Sequence, residues 1–98
     1  MRVYLAELEA RLEDMLKKWK KVSHMEDGDV VTLAWQFENS QVIIDLFWHD
    51  GKEGIHVKCF SPRQERRDHW SGLNAQTTTK VMDRIGNFAQ IVMDPKRN

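Results

Sequence analysis

From Val30 to Phe60 apolar side chains return at every second position, and no other feature restricts the fold of this chain as strongly. Val31, Leu33, Trp35 and Phe37 form one set; after "ENS" come Val42, Ile44, Leu46 and Trp48; after "DGKEG" come Ile55, Val57 and Cys59. A period of two is that of a strand with one buried face, and the Gly-, Asn- and Asp-bearing breaks suit hairpin turns. Taking Asn39-Ser40 as a two-residue turn pairs Phe37 with Val42 and Trp35 with Ile44, so the apolar sets share one side of the sheet. The second turn centres on Asp50-Gly51 or on Lys52-Glu53, and either register keeps that phase. A three-stranded antiparallel meander is expected.

The flanking segments change period. Leu5, Leu8, Leu12, Met15, Trp19 and Val22 recur at spacings of three and four, with Leu16 beside them, which predicts a helix over residues 4–22. Acids Glu7, Glu9, Glu13 and Asp14 precede bases Lys17, Lys18, Lys20 and Lys21. That order complements the helix dipole and supplies pairs four residues apart, so "KKWKK" reads as a solvated helix face. Residues 23–29, "SHMEDGD", read as a solvated turn, because Glu26, Asp27 and Asp29 lack the spacing of a calcium loop. Val81, Ile85, Phe88 and Val92 mark a last helix, capped by Asn74 or a nearby threonine and ended at Pro95. Gly86 inside it suggests a close approach to the sheet. The expectation is one α+β domain of order α-β-β-β-α, with two helices packed on the sheet face that carries Trp35 and Trp48.

Several function classes fall away on composition. Fifteen basic and fifteen acidic residues cancel, although residues 1–25, 26–54 and 55–98 carry +2 (6 − 4), −6 (1 − 7) and +4 (8 − 4). Zero net charge counts against broad nucleic-acid binding and leaves room for a local basic patch. Cys59 is the only cysteine, which excludes an internal disulfide and suits a reducing compartment. No apolar run approaches the roughly 20 residues that span a bilayer, and the start lacks the pattern of a secretion signal, so a cytoplasmic protein without a membrane partner is expected. Cys59 and His56 are three apart in a strand and point to opposite faces, so they form no nucleophile–base pair. His49 and His56 share the outer phase, and a metal would need Asp45 or His69 in addition. No catalytic residue, metal or cofactor is assigned, and no enzyme is expected.

The element order resembles that of double-stranded RNA-binding domains. That family grips phosphates with a run of lysines at the start of its last helix. Here that segment is "NAQTTTKVMDR", with Lys80 alone, so the resemblance is one of order only and implies no function.

Two features point to a partner. The sheet face left over would display Phe47, Phe60 and Lys58, with Ile43, beside polar positions such as Asp45, His49 and His56. Apolar groups on an open face mark a docking surface, a homodimer face, or a platform for unpaired bases. The second feature is "SPRQERRDHWSG", residues 61–72. Ser61, Pro62 and Gln64 match a helix cap, a first helical proline and a capping-box partner, which predicts a short helix over residues 62–69. On that helix Arg63, Arg66, Arg67 and Trp70 would share an arc of about 100°. Either this cationic and aromatic face binds a partner, or Trp70 folds inward under the arginine stems. The function expected is therefore a small non-catalytic interaction module that binds a protein, such as a regulator or inhibitor of the kind phages and mobile elements carry. The alternatives are a nucleic-acid-binding domain using Arg63, Arg66, Arg67 and Trp70, and a homodimeric structural domain.

Overall fold

The computed structural model describes residues 2–94. Helix α1 (Arg2–Met15) leads into strands β1 (Lys20–Asp27), β2 (Val30–Phe37), β3 (Ser40–His49), β4 (Lys52–Ser61) and β5 (Gln64–Ser71), and helix α2 (Ala75–Met93) closes the order. The strands form one antiparallel sheet in sequence order, β1-β2-β3-β4-β5. The α+β class and the meander stand, but there are five strands where three were expected, which also removes the element order shared with double-stranded RNA-binding domains.

The three central strands carry the alternating pattern for the expected reason. Val31, Leu33, Trp35, Val42, Ile44, Leu46, Ile55, Val57 and Cys59 are buried in one cluster with Leu5, Leu8, Leu12 and Leu16 and with Val81, Ile85, Phe88 and Val92 of α2. Both helices therefore lie on one side of the sheet. Trp19 completes the seam, its ring 5.5 Å from Phe37 and 6.3 Å from Phe88, while its indole N–H points at the Met93 sulfur at 3.1 Å. Near the other end the Tyr4 hydroxyl meets Thr78 Oγ1 at 2.7 Å and ties α1 to α2.

The two additional strands are the edges. Helix α1 ends at Met15 rather than near residue 22; a turn held by Leu16 N–H to Leu12 O and Trp19 N–H to Leu16 O reverses the chain into β1. The stripe of Leu5, Leu8, Leu12, Leu16 and Trp19 stays buried through that turn, so its three-four spacing does not mark the helix end. The acidic segment read as a turn is mostly β1, and only Gly28-Asp29 turns, with Gly28 at a φ of 59° that favours glycine. Likewise residues 64–71 are strand, not helix. Pro62-Arg63 makes the hairpin turn, and the Ser61 hydroxyl accepts from Gln64 N–H at 3.3 Å. The hydrogen bond expected of a helix cap is present, but it closes a turn, since Ser side chains offer the same local bond in both settings.

Turn positions settle the register. Glu38-Asn39, not Asn39-Ser40, joins β2 to β3, so Trp35 faces Val42 and Leu33 faces Ile44. This two-residue shift in pairing preserves the phase. Asp50-Gly51 joins β3 to β4 with φ values of 52° and 73°, the left-handed pair that a tight hairpin of matching twist requires. Helix α2 starts at the expected cap: Asn74 Oδ1 accepts from Thr77 N–H at 3.0 Å. It ends at Met93, and Pro95, expected to end it, lies outside the described residues. A Cβ on Gly86 would sit 3.3 Å from the Met15 methyl, so the close approach there is to α1 and not to the sheet.

Candidate functional site: the uncovered sheet face

With both helices on one side, the other side of five strands is bare. Cross-strand register arranges it in four rows, which run from β1 to β5 as Asp27-Val30-Phe47-Gly54-Ser71, Met25-Thr32-Asp45-His56-His69, Ser23-Ala34-Ile43-Lys58-Arg67 and Lys20-Gln36-Gln41-Phe60-Glu65. Its exposed large apolar side chains are Met25 on β1, 63% accessible, and Phe60 in the last row, 38% accessible. Ile43 and Phe47 are half-buried between them. Large apolar groups on an uncovered face are the informative kind of exposure.

Phe47 is fixed by its neighbours. Its ring lies over Gly54, where an added Cβ would come within 2.4 Å of Phe47 Cζ. Around it stand His56 edge-on at 5.2 Å, His69 stacked at 6.0 Å and His49 at 6.3 Å between ring centroids. Cations fill the β4–β5 side of the third row, where Lys58 and Arg67 face each other across the strands. Both turn to one acid, Glu65, at 3.2 and 3.7 Å. Asp45 accepts from the Thr32 hydroxyl at 2.5 Å, so the polar groups of this face largely pair among themselves.

The strand at residues 64–71 divides the predicted arginine and tryptophan arc. Arg67 lies on the bare face with Phe47, Phe60 and Lys58, whereas Arg66 and Trp70 alternate onto the helix side, opposite Cys59 and Ile55. Trp70 is half-buried against the core, and Arg63 sits in the turn beside Pro62. The helical spacing that would gather Arg63, Arg66, Arg67 and Trp70 is absent. Sequence reasoning did not place Met25 and His69 on the open face. A period of two counted outward from Trp70 and from the β2 pairing would have found Met25 and His69.

Where β5 and α2 meet, Arg84 Nε approaches Asp68 Oδ2 to 2.9 Å, with Arg66 Nε 3.4 Å from the same oxygen. Asp68 Oδ2 and Arg84 Nε are buried and not aligned for a hydrogen bond, so their attraction is purely ionic. Burial, with the Asp68 carboxylate adding to it, pushes the nearby Cys59 thiol up to about 11. Such a thiol is protonated near neutrality and is a poor nucleophile. At the other edge, His24 of β1 sets Nδ1 2.9 Å from Glu9 and Nε2 3.0 Å from Glu26. Lys21 bonds Glu9, and bonds Glu13 at 2.8 Å, while Arg2 pairs with Glu26. Hydrogen bonds to Glu26 and then Glu9 hold the His24 imidazole above its usual range. Burial would raise the Glu9 carboxyl, but the bonds from Lys21 and His24 outweigh it and hold the group below its usual range.

Among the described residues no three His, Cys, Asp or Glu side chains converge as metal ligands, and no helix is long and apolar enough to cross a membrane. No family model, curated protein or solved structure matches this chain.

Proposed function

We propose that the protein is a small non-catalytic interaction module that docks a protein partner on the bare face of its sheet, in the manner of a regulator or inhibitor. The observation that carries this reading is the exposure of Met25 and Phe60 on the broad sheet surface that neither helix covers. The face spans five strands at about 4.8 Å spacing, close to the size of one side of a standard protein interface. Its charges favour a protein over a polyanion. Over the whole face Lys20, Lys58 and Arg67 are balanced by Asp27, Asp45 and Glu65, and phosphate backbones need cations in excess. Exposed aromatic and methionine side chains are typical anchors of such a surface.

Affinity capture from the native cell tests the reading. The wild-type chain should recover one stoichiometric protein, and Phe60→Asp or Met25→Asp should lose it while the fold is retained. Undiminished capture by both variants rejects the bare face as the docking surface. One specific observation supports a nucleic-acid reading: Phe47, Phe60, Lys58 and Arg67 share this face. Oligonucleotide affinity that falls steeply with salt, and falls again with Arg67→Glu, would favour that reading. A doubled mass by light scattering, returned to monomer by Phe60→Asp, would instead make the second copy of the chain the occupant.

A further inference from the structure

On the β4–β5 half of the bare face, register sets His56 opposite His69 and, in the next row, Lys58 opposite Arg67. These four residues, with Ile43, Asp45 and Asp68 among others, line a shallow cavity of about 470 Å³. We propose that this cavity is an oxyanion site that takes a phosphate monoester or inorganic phosphate.

The first argument is electrostatic. Like charges directly opposite each other in an antiparallel pair destabilise it, and Lys58 and Arg67 are such a pair. Among the described residues Glu65 relieves that repulsion; its side chain is 45% exposed and sits in the neighbouring row, so it is readily displaced. A bound anion relieves the same repulsion and frees Glu65 to solvent. The second argument is geometric. Neighbours across the strands are about 5 Å apart and neighbours along a strand about 6.7 Å apart, so four donors surround a space the size of one tetrahedral anion. A guanidinium supplies a planar fork, an ammonium a point charge, and the imidazoles of the adjoining row carry N–H donors. Three terminal oxygens of a phosphate use that spread of directions better than a flat carboxylate does. The third is preorganisation. The two imidazoles are held 4.5 Å apart edge to face, and Phe47 packs on both. Of the two acids on the lining, Asp45 accepts from Thr32 and Asp68 is paired with Arg84 and Arg66, so both are engaged away from the four donors. A divalent cation suits the site poorly, because Lys58 and Arg67 flank the histidines.

The isolated chain is sufficient for the test, so its outcome is separate from that of partner capture. Imidazole resonances of His56 and His69 are followed by NMR at fixed pH and ionic strength during titration with inorganic phosphate, O-phosphoserine, acetate or sodium chloride. Both phosphates should produce a saturable shift that acetate and chloride do not. Tighter binding of O-phosphoserine would identify a phosphorylated side chain as the source, and tighter binding of inorganic phosphate the free ion. Lys58→Ala and Arg67→Ala should each weaken binding by at least about tenfold, the loss of one charge-assisted hydrogen bond, whereas Lys80→Ala should not. Arg67→Gln serves as a second variant if Arg67→Ala does not fold. Shifts no larger than those from chloride, or binding unchanged in Lys58→Ala and Arg67→Gln, would overturn the proposal. So would zinc chloride shifting the same imidazoles at lower concentration than phosphate.

Discussion

The two faces of the sheet are built from the same five strands and differ in what their side chains do. On the helix side the central strands offer mainly apolar groups, most of them buried, with polar residues beside the turns at Ser40, Glu53 and Ser61. On the other side the same strands offer Thr32, Ile43, Asp45, Phe47, His56, Lys58 and Phe60, apolar and polar interleaved. The helix side follows the hydrophobic effect, which asks only for area removed from water. The bare side resembles an interface, where apolar anchors sit among groups that can specify a partner. Under the proposed function, stability and recognition fall on opposite surfaces of one sheet.

This contrast is open to attack by mutation. Leu12→Ala, in the centre of the covered side, should cost about 2–5 kcal/mol in chemical denaturation. Phe60→Asp on the bare side should stay within about 0.5 kcal/mol. Equal losses would mean that the bare face belongs to the stabilising core. Next in size is Arg84→Met, which leaves the Asp68 carboxylate buried beside Arg66 alone and should cost about 1–3 kcal/mol. An unchanged denaturation midpoint would remove the ion pair from the account. Gly54→Ala should cost roughly 1 kcal/mol as the new methyl displaces the Phe47 ring. Its signature is a change in the ring-current shifts of His56 and His69, and unchanged shifts would contradict the seating of Phe47.

The smallest expected effect is on pH dependence at the β1 edge. The folded value of His24 is raised, so its contribution is full below the ordinary value of 6.5 and is lost as pH rises through the raised one. The folded value of Glu9 is lowered, so its contribution is full above the ordinary value of 4.5 and is lost as pH falls through the lowered one. Both are complete between those ordinary values. Solvent screening limits the His24 part to about 0.5 kcal/mol, and 1 M salt should erase most of it. Comparing stability at pH 5.5 and 8.5 in wild type and His24→Gln checks this, and an identical pH slope in the two would refute it.

Legibility in the sequence followed the same division of faces. Strands β2, β3 and β4 were visible because their inward positions are apolar except beside the turns, at Ser40, Glu53 and Ser61. The edge strands were not, because their helix-side positions carry Lys21, His24 and Glu26 on β1 and Arg66 and Asp68 on β5. Charges at a sheet edge deter edge-to-edge pairing, and they also erase the period-two signal. Phe47, Phe60 and Lys58 were placed on the open face correctly, since β3 and β4 fixed their phase. Arg66 and Trp70 were grouped with Arg67 because a serine that closes a turn has the same local signature as one that caps a helix. Only the sheet pairing distinguishes the two.

The central claim is that recognition uses the bare face and not the helix side. Met25 and Met15 stand on these opposite sides, 63% and 36% exposed, and serve as internal probes. Hydroxyl-radical footprinting of the chain, free and in complex with its captured partner, reads both in one experiment. The account predicts that Met25 and Phe60 become protected in the complex while Met15 oxidises as before. Protection of Met15 with Met25 unchanged would contradict it.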